Sequence, residues 1–191
     1  AHDIALTIDA EEQDRLELSL HLIENLAKRK DLKDWSGLGL AIQAYGKRAP
    51  VVVKFIDELG ANRNGMMMRL VKGAYWDQEI KIHQVKGAAD LPVFTSKSFT
   101  DLNYLSTAKI ISETKNLRPY FATHNAHTIA GIMQLYQGRE DQFEFQRIFG
   151  MGDLTYRNAQ KVYSDFPLTR VYAPVGSKKE LLPYLVRRLL E

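Results

Sequence analysis

Six apolar runs, each followed within a few residues by a stretch of helical periodicity, constrain this chain more than anything else in it. The runs cover residues 4–9, 38–44, 66–72, 117–123, 143–149 and 170–175. They are short and continuous in the manner of buried strands, and glycine or polar residues close each one. Helical spacing predicts helices over 10–29, 50–59, 76–86, 101–113, from the end of the THNAH segment to 135, over 156–163 and over 178–191; residues 91–97 are too short to assign. Strand, short loop and helix recur at spacings of about thirty residues, the rhythm of a parallel α/β fold. An open doubly wound sheet would want a GxGxxG turn after an early strand, and the sequence has none. A closed (β/α)8 barrel wants eight strands. With six in view and the first starting at once, the expectation is a TIM-like barrel, α/β in class, that lacks its first strands in this chain. Residues 1–191 are then the C-terminal three-quarters of one barrel domain.

Polar residues fall repeatedly at the ends of these runs: Asp9, Gln43, Arg69, Lys72, Thr123, His124 and Gln146. In a parallel barrel the strand C-termini meet on one face, so seven such placements read as one shared site. The stretch MMMRLVKGAYWD, residues 66–77, is its centre. Arg69 alternates with Met68 and Leu70 and points to the opposite face from both. It either pairs with an acid in the barrel interior or meets an anionic or electron-rich ligand. Asp9 is placed to cap the first helix, with Glu12 three residues on as a capping box. Thr95, Lys97 and Thr100 supply donors to the site or cap the helix at 101–113. In the last helix Arg187 and Arg188 leave the axis about 100° apart, with Glu191 within pairing distance of either. They complement the helix dipole or form a fork for a carboxylate.

Composition removes several chemistries. The chain has no cysteine, so disulfides, thiol catalysis and cysteine-ligated metals are excluded. His83, His124 and His127 lack HExxH spacing, and no metal is expected. A net charge of +3 with interspersed signs forms no stripe for nucleic acid, and no nucleic-acid contact is expected. No apolar run is long enough to cross a bilayer.

The segments IDAEEQDRLELS (8–19), IQAYGKR (42–48), MRLVKGAYWDQEIK (68–81), FATHNAHT (121–128), FEFQRIFGMGD (143–153) and VYAPVGSKKELLPYLVRRLLE (171–191) occur in one order along the chain. Together they strongly resemble the proline dehydrogenase domain of the bacterial proline utilization A family. The resemblance implies a distorted (β/α)8 barrel that holds FAD and oxidises L-proline to Δ1-pyrroline-5-carboxylate, with electrons passing to a membrane quinone. It also implies an aldehyde dehydrogenase domain elsewhere in the same polypeptide, and a cytoplasmic location with peripheral membrane association. By the same resemblance Arg69 belongs to the flavin N5 region, and Gln43, Val71, Gly73, Ala74 and Trp76 line the cofactor. Thr95, Lys97 and Thr100 serve its phosphate and adenosine side, and Thr123, His124, Asn125 and Gln146 complete the shell. Arg187 and Arg188 hold the proline carboxylate. Tyr75, Tyr156, Tyr184 and Ile148 enclose the ring, with Asp9 and Glu191 in support. The family carries further strands before the point where this chain starts, one bearing a lysine that meets the carboxylate, and that lysine has no counterpart here. The alternative expectation is a non-catalytic barrel fragment that needs the missing segment to bind flavin and substrate.

Overall fold

The computed structural model describes residues 4–10 and 12–189. All six runs form strands: β1 (Leu6–Ile8), β2 (Leu38–Gln43), β3 (Met66–Val71), β4 (Leu117–Ala122), β5 (Glu144–Ile148) and β6 (Thr169–Tyr172). They make one sheet in the order β1-β2-β3-β4-β5-β6, with every neighbouring pair parallel. Each strand is laid on the same side of the one before, so right-handed crossovers keep the connecting helices on one face. The result is a curled half-barrel. The helices are α1 (Leu16–Ala27), α2 (Ala49–Ala61), α3 (Trp76–Val85), α4 (Lys97–Ile111), α5 (Ala126–Leu135), α6 (Asp153–Val162) and α7 (Lys178–Leu189).

Register sorts the side chains into two faces. Leu40, Met68 and Pro119 lie side by side, as do Ile42, Leu70, Phe121 and Phe145 one step further along or across the sheet. These point to the helices and interlock there with Ile23, Val53, Ile56, Tyr104, Ile132, Tyr136 and Tyr156. Burying a side chain of this size contributes about 1.5–3 kcal/mol, so this layer holds the fold. The other face carries Ala41, Arg69, Tyr120 and Glu144 in one row and Val71, Ala122, Gln146 and Arg170 in the next. A hydrophobic core does not need that second set, and its residue types are those of a site.

Three local expectations change, and the unassigned residues 91–97 gain a place. Asp9 caps no helix: a 3-10 turn at Gln13–Arg15 precedes α1, and Glu12, at the N-cap of that turn, makes no side-chain cap bond. Instead the buried Glu79 of α3 reaches across 66 residues of sequence and accepts the Gln13 N–H at 2.6 Å. That contact also replaces the apolar face expected on α3. Glu79 is buried while Val85 is 80% exposed, because polar contacts from Glu79, and from Lys86 to Asp14, hold this helix. The fourth helix begins at Lys97 after Ser96, four residues earlier than its spacing suggests, so Thr100 sits inside the first turn and Thr95 before it. Residues 91–94 form no strand of the sheet. They dock on the end of β2 through an antiparallel bridge from Val93 to Gly46 and a hydrogen bond from Phe94 N to Tyr45 O. Glu191 lies outside the described residues.

Candidate functional site

Neither α3 nor α7 contributes to the core layer among the described residues. Both instead lie against the C-terminal ends of the central strands, where three adjoining cavities open. The first, about 290 Å³, is walled by residues that include Asp9, Gln43, Arg69, Tyr75, His124, Tyr172, Tyr184 and Arg188. The second, about 250 Å³, shares Ala74 and Tyr75 with it and runs past Gly73, Trp76, Lys97 and Thr100 to Arg187. The third, about 430 Å³, shares His124 and Arg188 with the first and is bounded by Thr123, Asn125 and Gly152. The turn after β3 makes the junction possible. Gly73 has φ +142°, and a Cβ there would lie 2.4 Å from Cγ of the Tyr45 ring, so only glycine fits.

The polar geometry follows from the strand ends. Arg69 projects from the inner face of β3, and its Nη2 donates to the Asp9 carboxylate across β2. Arg69 therefore has the acid partner that one expectation named, and it also lines the first cavity. Gln43 Oε1 accepts the Ala74 N–H at 3.2 Å, which pins the loop after β3 to β2. Lys72, at the end of β3, pairs with Asp101 of α4, and Lys97 joins the same carboxylate. Burial pushes the Asp101 carboxyl up, but the two ammonium groups outweigh it and hold it below the usual 3.8. Asp101 thus takes up protons more readily unfolded than folded, and its contribution to stability is full above about pH 3.8 and fades as pH falls through the lower folded value. We expect Asp101→Asn to flatten the loss of stability on acidification, read from urea midpoints near neutral pH and at about pH 3; an unchanged acid slope would contradict the pairing.

His124 follows β4, and its Nε2 accepts the Ile148 N–H at 3.1 Å. Burial, then the Arg147 and Arg188 cations, hold its pKa below 6.5, so the ring is neutral with its proton on Nδ1. Thr123 Oγ1 accepts the Asn125 N–H, and Asn125 Oδ1 accepts the Thr128 N–H to cap α5. The Trp76 indole donates to Phe94 O at 2.6 Å, leaving its face to the second cavity. On α7, Arg187 lies 5.4 Å over the Tyr75 ring and Arg188 4.3 Å over Tyr184. Arg187 Nε is buried with no hydrogen-bond partner among the described residues.

Of the residues read from sequence, Asp9, Gln43, Arg69, Val71, Ala74, Tyr75, His124, Tyr184 and Arg188 meet around the first cavity. Gly73, Trp76, Lys97, Thr100 and Arg187 meet around the second. Four stand apart. Thr95 is exposed and lines none of these three cavities. Tyr156 is buried against Phe145 and Phe166, and its hydroxyl donates to Thr123 O at 2.8 Å, so it supports the strand end from below. Ile148 is fully buried and meets His124 through its backbone. Gln146 is buried on the inner face, where it donates to Glu144. Sequence reasoning missed Tyr172, Asp101 and the Glu144–Arg170 pair. Alternation along β5 and β6 would have found Glu144, Arg170 and Tyr172, since they share a face with Gln146.

The chain is similar to several known proteins. The chain is 49% identical over 200 residues to the bifunctional protein PutA of Escherichia coli K12, and 30% identical over 196 residues to proline dehydrogenase 2 of Bacillus subtilis 168. It is covered completely in both, but spans 15% of the first protein's length and 55% of the second's. Among solved structures, a mutant of Bradyrhizobium japonicum proline utilization A superposes on all of the chain with a TM-score of 0.92 at 50% identity, the chain spanning 20% of that structure. A proline utilization A from Bdellovibrio bacteriovorus inactivated by N-propargylglycine gives 0.87 at 34% identity over 98% of the chain, which spans 20% of that structure too. The sequence model of the proline dehydrogenase family matches residues 1–191, and the chain belongs to that family.

Proposed function

We propose that this chain is the larger part of a proline dehydrogenase barrel that oxidises L-proline to Δ1-pyrroline-5-carboxylate. The observation that carries the reading is the gathering of Arg69, Arg187, Arg188, Tyr75 and Tyr184 around adjoining cavities at one end of a parallel sheet. A small ring with one carboxylate, one nitrogen and an apolar edge suits such walls. Arg187 and Arg188 neutralise the carboxylate, Tyr75 and Tyr184 cover the ring, and Asp9 keeps the Arg69 guanidinium aimed along the strand end.

The residues present fit FAD. The cavities adjoin one another along the strand ends, as a dinucleotide requires, and Arg69, Lys72, Lys97 and Arg187 bring cations to two of them. The buried Arg187 Nε, without a hydrogen-bond partner among the described residues, is a donor that can meet a ligand acceptor. Gln43, Arg69, Val71, Gly73, Ala74 and Trp76 would hold the ring system, Lys97 and Thr100 the phosphate side, and His124 would offer its Nδ1–H. The chemistry that FAD supplies when bound is to accept a hydride at N5 and pass the electrons to a membrane quinone. The chain's own residues bind, orient and exclude water.

Six strands laid in order support an arc of a closed (β/α)8 barrel, the remaining strands coming from polypeptide outside these residues. An aldehyde dehydrogenase domain in the same polypeptide accords with the small share of the long relatives that the chain spans. A cytoplasmic location with peripheral membrane association is part of the proposal and follows from the family resemblance alone. No helix among the described residues is long and apolar enough to cross a membrane.

Purified protein is expected to carry the visible spectrum of an oxidised flavin, releasable by denaturation as FAD. Protein that takes up no flavin when supplied with it would overturn the cofactor assignment. Arg69→Met removes a charge-assisted donor from the first cavity and is expected to weaken flavin binding, or its reduction by proline, by about 1.5–3 kcal/mol. Flavin content and reduction rate both equal to the parent's would remove Arg69 from the site.

A further inference from the structure

We infer that Glu144 is a positioning residue, which fixes the direction of the Gln146 amide so that the site offers its cofactor a hydrogen-bond acceptor at this point. Glu144 and Gln146 are two residues apart on β5 and share its inner face. Both are buried, 5% and 6% exposed. Gln146 Nε2 donates to Glu144 Oε1 at 2.8 Å. Arg170 of β6 holds the same carboxylate with two bonds, Nε to Oε1 at 2.8 Å and Nη2 to Oε2 at 2.9 Å.

A glutamine amide has a donor end and an acceptor end of nearly equal size, and its neighbours decide which faces where. A carboxylate paired with a guanidinium offers only acceptors. Gln146 must therefore turn its NH2 toward Glu144, and its carbonyl oxygen is left over. Among the described residues no donor reaches that oxygen. That oxygen is an acceptor that a ligand N–H or O–H can meet. Through register Gln146 neighbours Ala122, a wall of the first and third cavities. The inference rests on the flavin reading and narrows it. Gln146 meets a donor-bearing part of the cofactor, either a sugar-like hydroxyl or the imide N–H of the ring. A phosphate oxygen would be repelled there.

The competing account is that Glu144 only ties β5 to β6 through Arg170. Two kinds of variant separate the accounts. Glu144→Gln and Arg170→Met both break the ion pair, but only the first removes the fixed acceptor from Gln146. FAD dissociation constants and thermal midpoints are measured for these two, for Gln146→Met, and for the double variant Glu144→Gln/Gln146→Met. Glu144→Gln is expected to weaken FAD binding about tenfold, the size of one hydrogen bond. Arg170→Met is expected to change it by about threefold at most, with a similar loss of thermal midpoint. In the Gln146→Met background Glu144→Gln should cost no further affinity, because a residue acting through another has nothing left to act on. Gln146→Asn leaves the ion pair intact and draws the amide back, so it should lose affinity at an unchanged midpoint; it reads the same point should Glu144→Gln not fold. Losses that add in the double variant, equal affinity losses in Glu144→Gln and Arg170→Met, or parent affinity in Gln146→Asn would overturn the inference. A parent that takes up no FAD overturns the flavin reading itself, and the inference with it, and is told apart from these outcomes before any variant is made.

Discussion

Replacing Arg188 with methionine is expected to weaken L-proline binding by about 2–5 kcal/mol, the cost of removing one partner from a buried charge pair. Arg187→Met should act in the same direction. The two arginines sit on α7 at the last turn, and each lies over a tyrosine, Tyr184 for Arg188 and Tyr75 for Arg187. Methionine keeps an apolar stem and a favourable contact with an aromatic ring, so the helix should hold its place and the effect should fall on the charge. The loss should therefore be shared by ring carboxylates that lack the amine, and be small for a ring amine that lacks the carboxylate. Titration of both classes of ligand reads this directly. Parent-like proline affinity in both variants would mean that the cations serve only the C-terminal end of the helix dipole.

Phe145→Ala is expected to destabilise the fold by about 3–5 kcal/mol, the range for truncating a buried aromatic. Phe145 is fully buried and sits among Phe143, Tyr156 and Phe166, with ring centroids 5.2, 5.9 and 5.4 Å away. Its loss opens a cavity in the layer between β5 and the helices, where no small side-chain shift can close it. Tyr120, on the inner face one strand away, has no such surroundings and should tolerate truncation far better. For a domain of this length the larger loss corresponds to a fall of about 10 °C in thermal midpoint. Similar midpoints for Phe145→Ala and the parent would show that the helix-side layer does not dominate the stability.

The six strands were legible because each is a buried apolar run closed by a turn signal, and burial on a parallel sheet leaves that mark whatever the tertiary partners are. The shared site was legible for a related reason. A polar residue at the end of an apolar strand, such as Arg69 or Gln43, has no place in a core and so announces itself. What stayed hidden was long-range polar pairing. Glu79 looks like one more surface acid on α3, and its buried partner, the Gln13 N–H, is 66 residues away in sequence. Lys72 and Asp101 are separated by a helix and a loop, and their pairing depends on α4 starting at Lys97. In sequence Ser96 and Thr100 are both suitable cap residues, and only the fold shows that the helix starts after Ser96. The Glu144–Arg170 pair was hidden because Glu144 lies within FEFQRIF, where aromatic neighbours dominate the pattern, while Arg170 lies on the next strand, β6. Asp9 was misassigned as a cap because local spacing favours one, while the partner it takes is Arg69, two strands away.

Anaerobic titration of the flavin-loaded protein with L-proline, followed at the visible band of the oxidised flavin, tests the central claim most directly. The account predicts that the band is lost, and that Δ1-pyrroline-5-carboxylate appears in proportion to the flavin reduced. A protein that holds FAD but keeps its oxidised spectrum in saturating proline would contradict it.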